Sequence, residues 1–82
     1  MKKEILKPFG IHLCELRVKK NLTQADLTFK GKFDNDYVDK VERGERNPSL
    51  KTLCRLADAL GITLTELLNF KFFFMITISV IG

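Results

Sequence analysis

The chain reads as an all-α domain of five short helices followed by an apolar, strand-like tail. Three observations lead there. Capping residues stand at Thr23, Asp34, Ser49 and Thr63, each just ahead of a segment with helical spacing. Glycines stand where the third and fourth segments end, at Gly44 and Gly61. From Phe70 onward the apolar period changes from that of a helix to two.

Taken in order, Lys2 to Lys7 reads as a short basic arm. Pro8 fits the first turn of a helix, where its missing N–H costs nothing. Phe9, Leu13 and Leu16 then form one apolar stripe on a helix running to Lys20, with Ile11, His12 and Cys14 off that stripe. Thr23 caps the second helix, and Asp26 is placed to reach back in a capping box. The third helix is expected to start at Asp34 and to stop at Gly44. After the loop Glu45-Arg46-Asn47-Pro48, Ser49 caps a fourth helix with Leu50, Leu53, Ala57 and Leu60 on one face, closed by Gly61. Thr63 and Glu66 form a second capping-box pair, opening a fifth helix through Leu68. Cap signals and apolar spacing agree along the whole run, which is itself an argument for the assignment.

Residues 1–69 are therefore read as one domain and residues 70–82 as its tail. In the tail Phe70, Phe72, Phe74, Ile76, Ile78 and Val80 alternate with a mixed set, the pattern of a strand. A lone strand leaves its backbone unpaired, so pairing with the tail of a second copy is the favoured reading. The alternatives are collapse onto the fifth helix and a membrane anchor. The apolar stretch from Leu67 to Ile81 contains Lys71 and is shorter than the roughly twenty residues a spanning helix needs, so no membrane is expected.

Eighty-two residues make a small core, and burial shared in a dimer would help it. The net charge of +4 is compatible with nucleic acid or an acidic surface. Cys14 and Cys54 lack metal-ligand spacing and His12 is the one histidine, so no metal, cofactor or disulfide framework is expected. The N-terminus has no long apolar segment of the kind a signal peptide carries, which points to the cytoplasm and to reduced thiols. Catalysis needs a nucleophile, a base and a pocket, and no motif here brings them together; the chain is not read as an enzyme.

The second and third helices are short and closely joined, so they cross steeply and the third projects outward, the geometry of a helix-turn-helix. Residues 9–68 resemble the phage repressor and Cro-type helix-turn-helix family. The runs that carry the resemblance are Leu16-Arg17, Leu22-Thr23-Gln24, Leu27, Tyr37, Val41-Glu42-Arg43-Gly44-Glu45-Arg46-Asn47-Pro48-Ser49-Leu50, Leu53 and Leu56-Ala57-Asp58-Ala59-Leu60-Gly61. The resemblance implies a lambda-repressor-like fold and a cytoplasmic transcriptional regulator, such as a repressor, that binds a palindromic operator in double-stranded DNA as a homodimer.

Position by position, the resemblance implies that Gln24, Arg43, Arg46 and Asn47 contact phosphates. It places Asn35, Asp36 and Lys40 on the third helix, facing base edges. Arg17 and Glu42 match a structural ion pair between the first and third helices. The homodimer would pair through Phe70, Phe72, Phe74, Ile76 and Ile78. Two departures stand out. Thr28 and Lys32 occupy positions where the family has a small residue and a glycine, and Gly31 comes one position early, so a rearranged turn or a displaced bend is expected. The third helix is also acidic, with Asp34, Asp36, Asp39 and Glu42 against Lys40 and Arg43. That surplus is unfavourable beside phosphates, though Glu42 is assigned to Arg17, Asp34 to the helix cap, and Asp36 can accept from a cytosine amino group, which leaves Asp39 unexplained. It sustains an alternative function, a protein-interaction module on the same frame with weak or no DNA binding.

Overall fold

The computed structural model describes residues 2–70. They form α1 (Lys3–Lys19), α2 (Gln24–Gly31), α3 (Tyr37–Glu42), α4 (Leu50–Leu60) and α5 (Leu64–Leu68), with no strand among the described residues. The expected tail strand lies outside the described residues except for Phe70, which is 7% exposed and packs its ring on Phe9 of the same chain at 5.8 Å between centroids. A ring so covered has little surface left to offer a second copy.

Helix α1 begins at Lys3, so the stretch read as a basic arm is helical and Pro8 lies inside the helix. Proline cannot bond back to the Glu4 carbonyl, but Ile5 is buried and extends the Phe9–Leu13 stripe by a turn. Burying a side chain of this size contributes about 1.5–3 kcal/mol, which offsets one missing backbone bond. The caps of α2 and α5 are reciprocal: Thr23 and Thr63 each accept from the third residue on, and the Asp26 and Glu66 carboxylates accept from the cap residues' own N–H groups. The Thr23 bonds hold the Asp26 carboxyl below the usual carboxylate range. That cap therefore contributes at neutral pH and is lost as acid protonates Asp26.

Two further expectations change, one at a boundary and one on a buried face. Asp34 does not cap α3. Its carbonyl accepts from Tyr37 N–H at 3.1 Å, closing a turn in which Asp36 takes a left-handed φ of 70°, and the helix starts only at Tyr37. Asp-Asn-Asp is strong turn chemistry, and that local preference wins over the extra helical residues. On α4 the buried face is Leu53, Leu56, Ala57 and Leu60, whereas Leu50 is 67% exposed. Helix side chains lean toward the N-terminus, so Leu50, at the first position, leans off the end of the body.

Helix α1 packs on α3 and α5, and α2 on α3 and α4. Phe9, Leu13, Leu27, Leu56 and Leu67 meet at the centre with no exposed surface. Gly44, at φ 78°, ends α3 with the paired backbone bonds of a Schellman motif, Glu45 N–H to the Lys40 carbonyl and Gly44 N–H to that of Val41. Helices α1 and α3 approach closely at Gly10, where a Cβ would collide with the carbonyl oxygens of Val41 and Glu42.

Gly10→Ala should therefore destabilise the domain. Alanine gains about 1 kcal/mol of helix propensity, but forcing two backbones apart costs about 3 kcal/mol at the upper end of overpacking. Denaturant melts should show a net loss of about 2 kcal/mol.

Candidate nucleic-acid interface

The centre of the α1–α2–α3 junction is a charged network. Arg17 Nε donates to Glu42 Oε2 at 2.7 Å and its Nη2 to Oε1 at 3.2 Å, with the two side chains 12% and 6% exposed. Arg17 Nη1 also donates to the Leu22 carbonyl at 2.7 Å, tying down the residue ahead of the α2 cap. The hydrogen bond to Glu42 raises the Arg17 pKa above its ordinary value, outweighing the opposing effect of burial.

Gln24, the first residue of α2, completes this network. Its Nε2 donates to Glu42 Oε1 at 2.9 Å and to Asp39 Oδ1 at 3.3 Å, so the side chain expected to reach a phosphate is turned toward α3. Asp39 also pairs with Arg43 at 2.9 Å, and Arg43 with Glu45 at 3.3 Å. Asp39, the acidic group left unexplained by the sequence, is thus held by internal partners, as is Glu42.

The expected base-reading residues divide between two elements. Lys40 lies on α3, but Asn35 and Asp36 sit in the turn before it, a correction to their placement on the helix. An open groove between α2 and this turn is lined by Gln24, Ala25, Thr28, Phe29, Asn35, Asp36 and Asp39. It brings Gln24 together with Asn35 and Asp36. It also contains Phe29, 84% exposed, a large apolar side chain that helical spacing alone did not single out. Thr28 is accommodated by donating its hydroxyl to the Gln24 carbonyl at 2.7 Å.

The Arg46 guanidinium lies over the Tyr37 ring, 5.4 Å from its centre. Asn47 is exposed beside the buried Pro48. The bend after α2 is not displaced: Lys32 itself takes the left-handed conformation, φ 54°, at the position where glycine was expected. Gly31 instead makes room for the Phe33 ring, which a Cβ there would strike. Among the described residues, no group of acidic, histidine and cysteine side chains could hold a metal ion, and no helix is long and apolar enough to cross a membrane.

Arg17→Met should cost about 3 kcal/mol, because it leaves the Glu42 carboxylate buried and unpaired. Adding Glu42→Leu should recover part of that loss, since both charges are then gone. Denaturant melts of the two single variants and the double variant measure the coupling.

A helix-turn-helix family profile matches residues 13–67. An uncharacterized HTH-type transcriptional regulator, y4dJ, of Sinorhizobium fredii (strain NBRC 101917 / NGR234) is 38% identical over 66 residues, covering 80% of this chain and 86% of the relative. Among solved structures, the restriction-modification controller protein C.AhdI from Aeromonas hydrophila is similar with a TM-score of 0.75 at 47% identity, over 78% of this chain and 97% of that one. The controller protein C.Esp1396I, solved as a tetramer in complex with its natural 35 base-pair operator, is similar with a TM-score of 0.70 at 27% identity, over 92% of this chain and 91% of that one. With its two crossed helices, its turn and its matched span, the chain belongs to the helix-turn-helix family of DNA-binding transcriptional regulators.

Proposed function

We propose that the chain occupies a palindromic DNA operator as a homodimer and so controls transcription in the cytoplasm. The observation that carries this reading is the groove that gathers Gln24, Asn35 and Asp36 at the outer end of the α2–α3 unit. Asn35 suits the edge of adenine, and Asp36 can accept from the amino group of cytosine. Lys40, farther along α3, suits guanine.

Backbone contacts fall to Arg46 and Asn47 in the loop after α3, with Arg43 exchanging its longer contact, that to Glu45 at 3.3 Å, for a phosphate while keeping Asp39 at 2.9 Å. Gln24 joins them by giving up its longer bond, that to Asp39 at 3.3 Å, while keeping Glu42 at 2.9 Å. The internal pairing of Asp39 and Glu42 favours this reading over a protein-interaction module, because it lowers the repulsion a phosphate would meet at α3. A palindrome needs two such units about one helical turn, roughly 34–36 Å, apart. The second copy is held by the tail through Phe72, Phe74, Ile76 and Ile78, with Phe70 serving its own chain's core. The similarity to a controller protein solved as a tetramer on its natural operator supports operator binding by more than one copy.

Binding to duplex DNA at low salt should weaken steeply as salt rises, by the release of counterions. Indifference to DNA would favour the interaction module. Lys40→Ala should relax base preference, by about 1–3 kcal/mol of discrimination at one position. Arg46→Ala should instead weaken cognate and scrambled duplexes alike, since phosphates carry no sequence information. Removing residues 71–82 should leave a folded monomer in sedimentation, with much weaker operator binding. A dimer that persists at micromolar concentration would place the two-fold contact on the helical body.

A further inference from the structure

We propose that Arg55, on α4 and outside the groove, is a positioning residue that sets the DNA-reading turn; the inference rests on the DNA-binding reading above. It starts from Lys32. A left-handed φ of 54° is disfavoured for any residue with a side chain, and something must hold the chain there. The local backbone closes with Lys32 N–H to the Phe29 carbonyl and Phe33 N–H to that of Thr28, which leaves the carbonyls of Gly31 and Lys32 to find donors elsewhere. Arg55 Nη2 supplies both, at 2.7 Å to Gly31 and 2.8 Å to Lys32. A cation on two carbonyls at a helix C-terminus is favoured by charge-assisted bonding and by the helix dipole.

The same guanidinium lies 4.6 Å from the centre of the Phe33 ring. Phe33 stacks on Tyr37 at 5.4 Å and 21°, and Arg46 lies 5.4 Å from Tyr37 on the loop after α3. Contacts therefore run from α4 through the turn to the first residue of α3 and to a phosphate-contacting arginine. Asn35 and Asp36 lie between the two stacked rings in sequence, so the stack pins both ends of the segment that reads bases. Arg55 acts on base recognition through this segment and touches no base itself.

The chain has one tyrosine, Tyr37, and no tryptophan, so the tyrosine band of the near-ultraviolet circular dichroism reads the stack without DNA. Wild type, Arg55→Met, Lys32→Gly and the double variant would be compared on a duplex selected from a random pool and on its scrambled counterpart, well below the melting temperature. Arg55→Met should weaken the tyrosine band and lower affinity for the selected duplex about tenfold, the size of an unsupported left-handed residue. The scrambled duplex should change little, and the salt slope should stay. Lys32→Gly, which removes the backbone penalty, should restore most of the band and of the discrimination when combined with Arg55→Met, judged against Lys32→Gly alone.

An unchanged tyrosine band overturns the inference whatever the DNA does. Equal loss on both duplexes with a salt slope lower by about one would make Arg55 a direct phosphate contact instead. A lower melting temperature with discrimination intact would reduce it to a stabilising residue. If wild type binds neither duplex, the proposed function fails, while the band and its restoration by Lys32→Gly still decide whether Arg55 holds the turn.

Discussion

The rest of the molecule depends on the bidentate pair between Arg17 and Glu42. Two nearly buried charges are tolerated because every neighbour answers them: Glu42 takes Gln24 as well as Arg17, and Arg17 also bonds the Leu22 carbonyl. Desolvation of such groups is expensive, and only good geometry with added hydrogen bonds returns it. A pair of this kind is therefore a stronger statement about position than about stability. It specifies where α1, the start of α2 and the end of α3 must meet, and Gly10 lets the α1 and α3 backbones come close enough for it to form.

That network also changes the meaning of an acidic α3. Counted along the sequence, its carboxylates oppose a polyanion. In the fold, Glu42 belongs to Arg17, and Asp39 to Arg43 and Gln24. The charge presented to DNA is thus set by the pairing of side chains across helices.

Much of the chemistry sits in the turn more than on the helix that follows it. Asn35 and Asp36 are carried by a turn whose two ends are Phe33 and Tyr37, stacked on one another. Its entry is a lysine in a conformation that glycine adopts freely. Local bonds and that stack are joined by contacts from outside the segment, which α4 provides through Arg55.

What the sequence by itself determined was local: Thr23, Ser49 and Thr63 announce three helix starts, and Gly44 and Gly61 announce two ends, because a cap bonds to atoms within three or four residues of itself. The family resemblance then named Arg17, Glu42 and Gln24, though not Asp39, nor that Gln24 would face inward. Tertiary structure decided the rest. Helix α1 reaches back past Pro8 because Ile5 finds the core, and Leu56 replaces Leu50 on the buried face because only the former has a body to lean on. Lys32 holds a left-handed bend beneath an arginine 23 residues away in the chain. Contacts of that range depend on how the helices pack, and the spacing of residues along one helix carries no record of them.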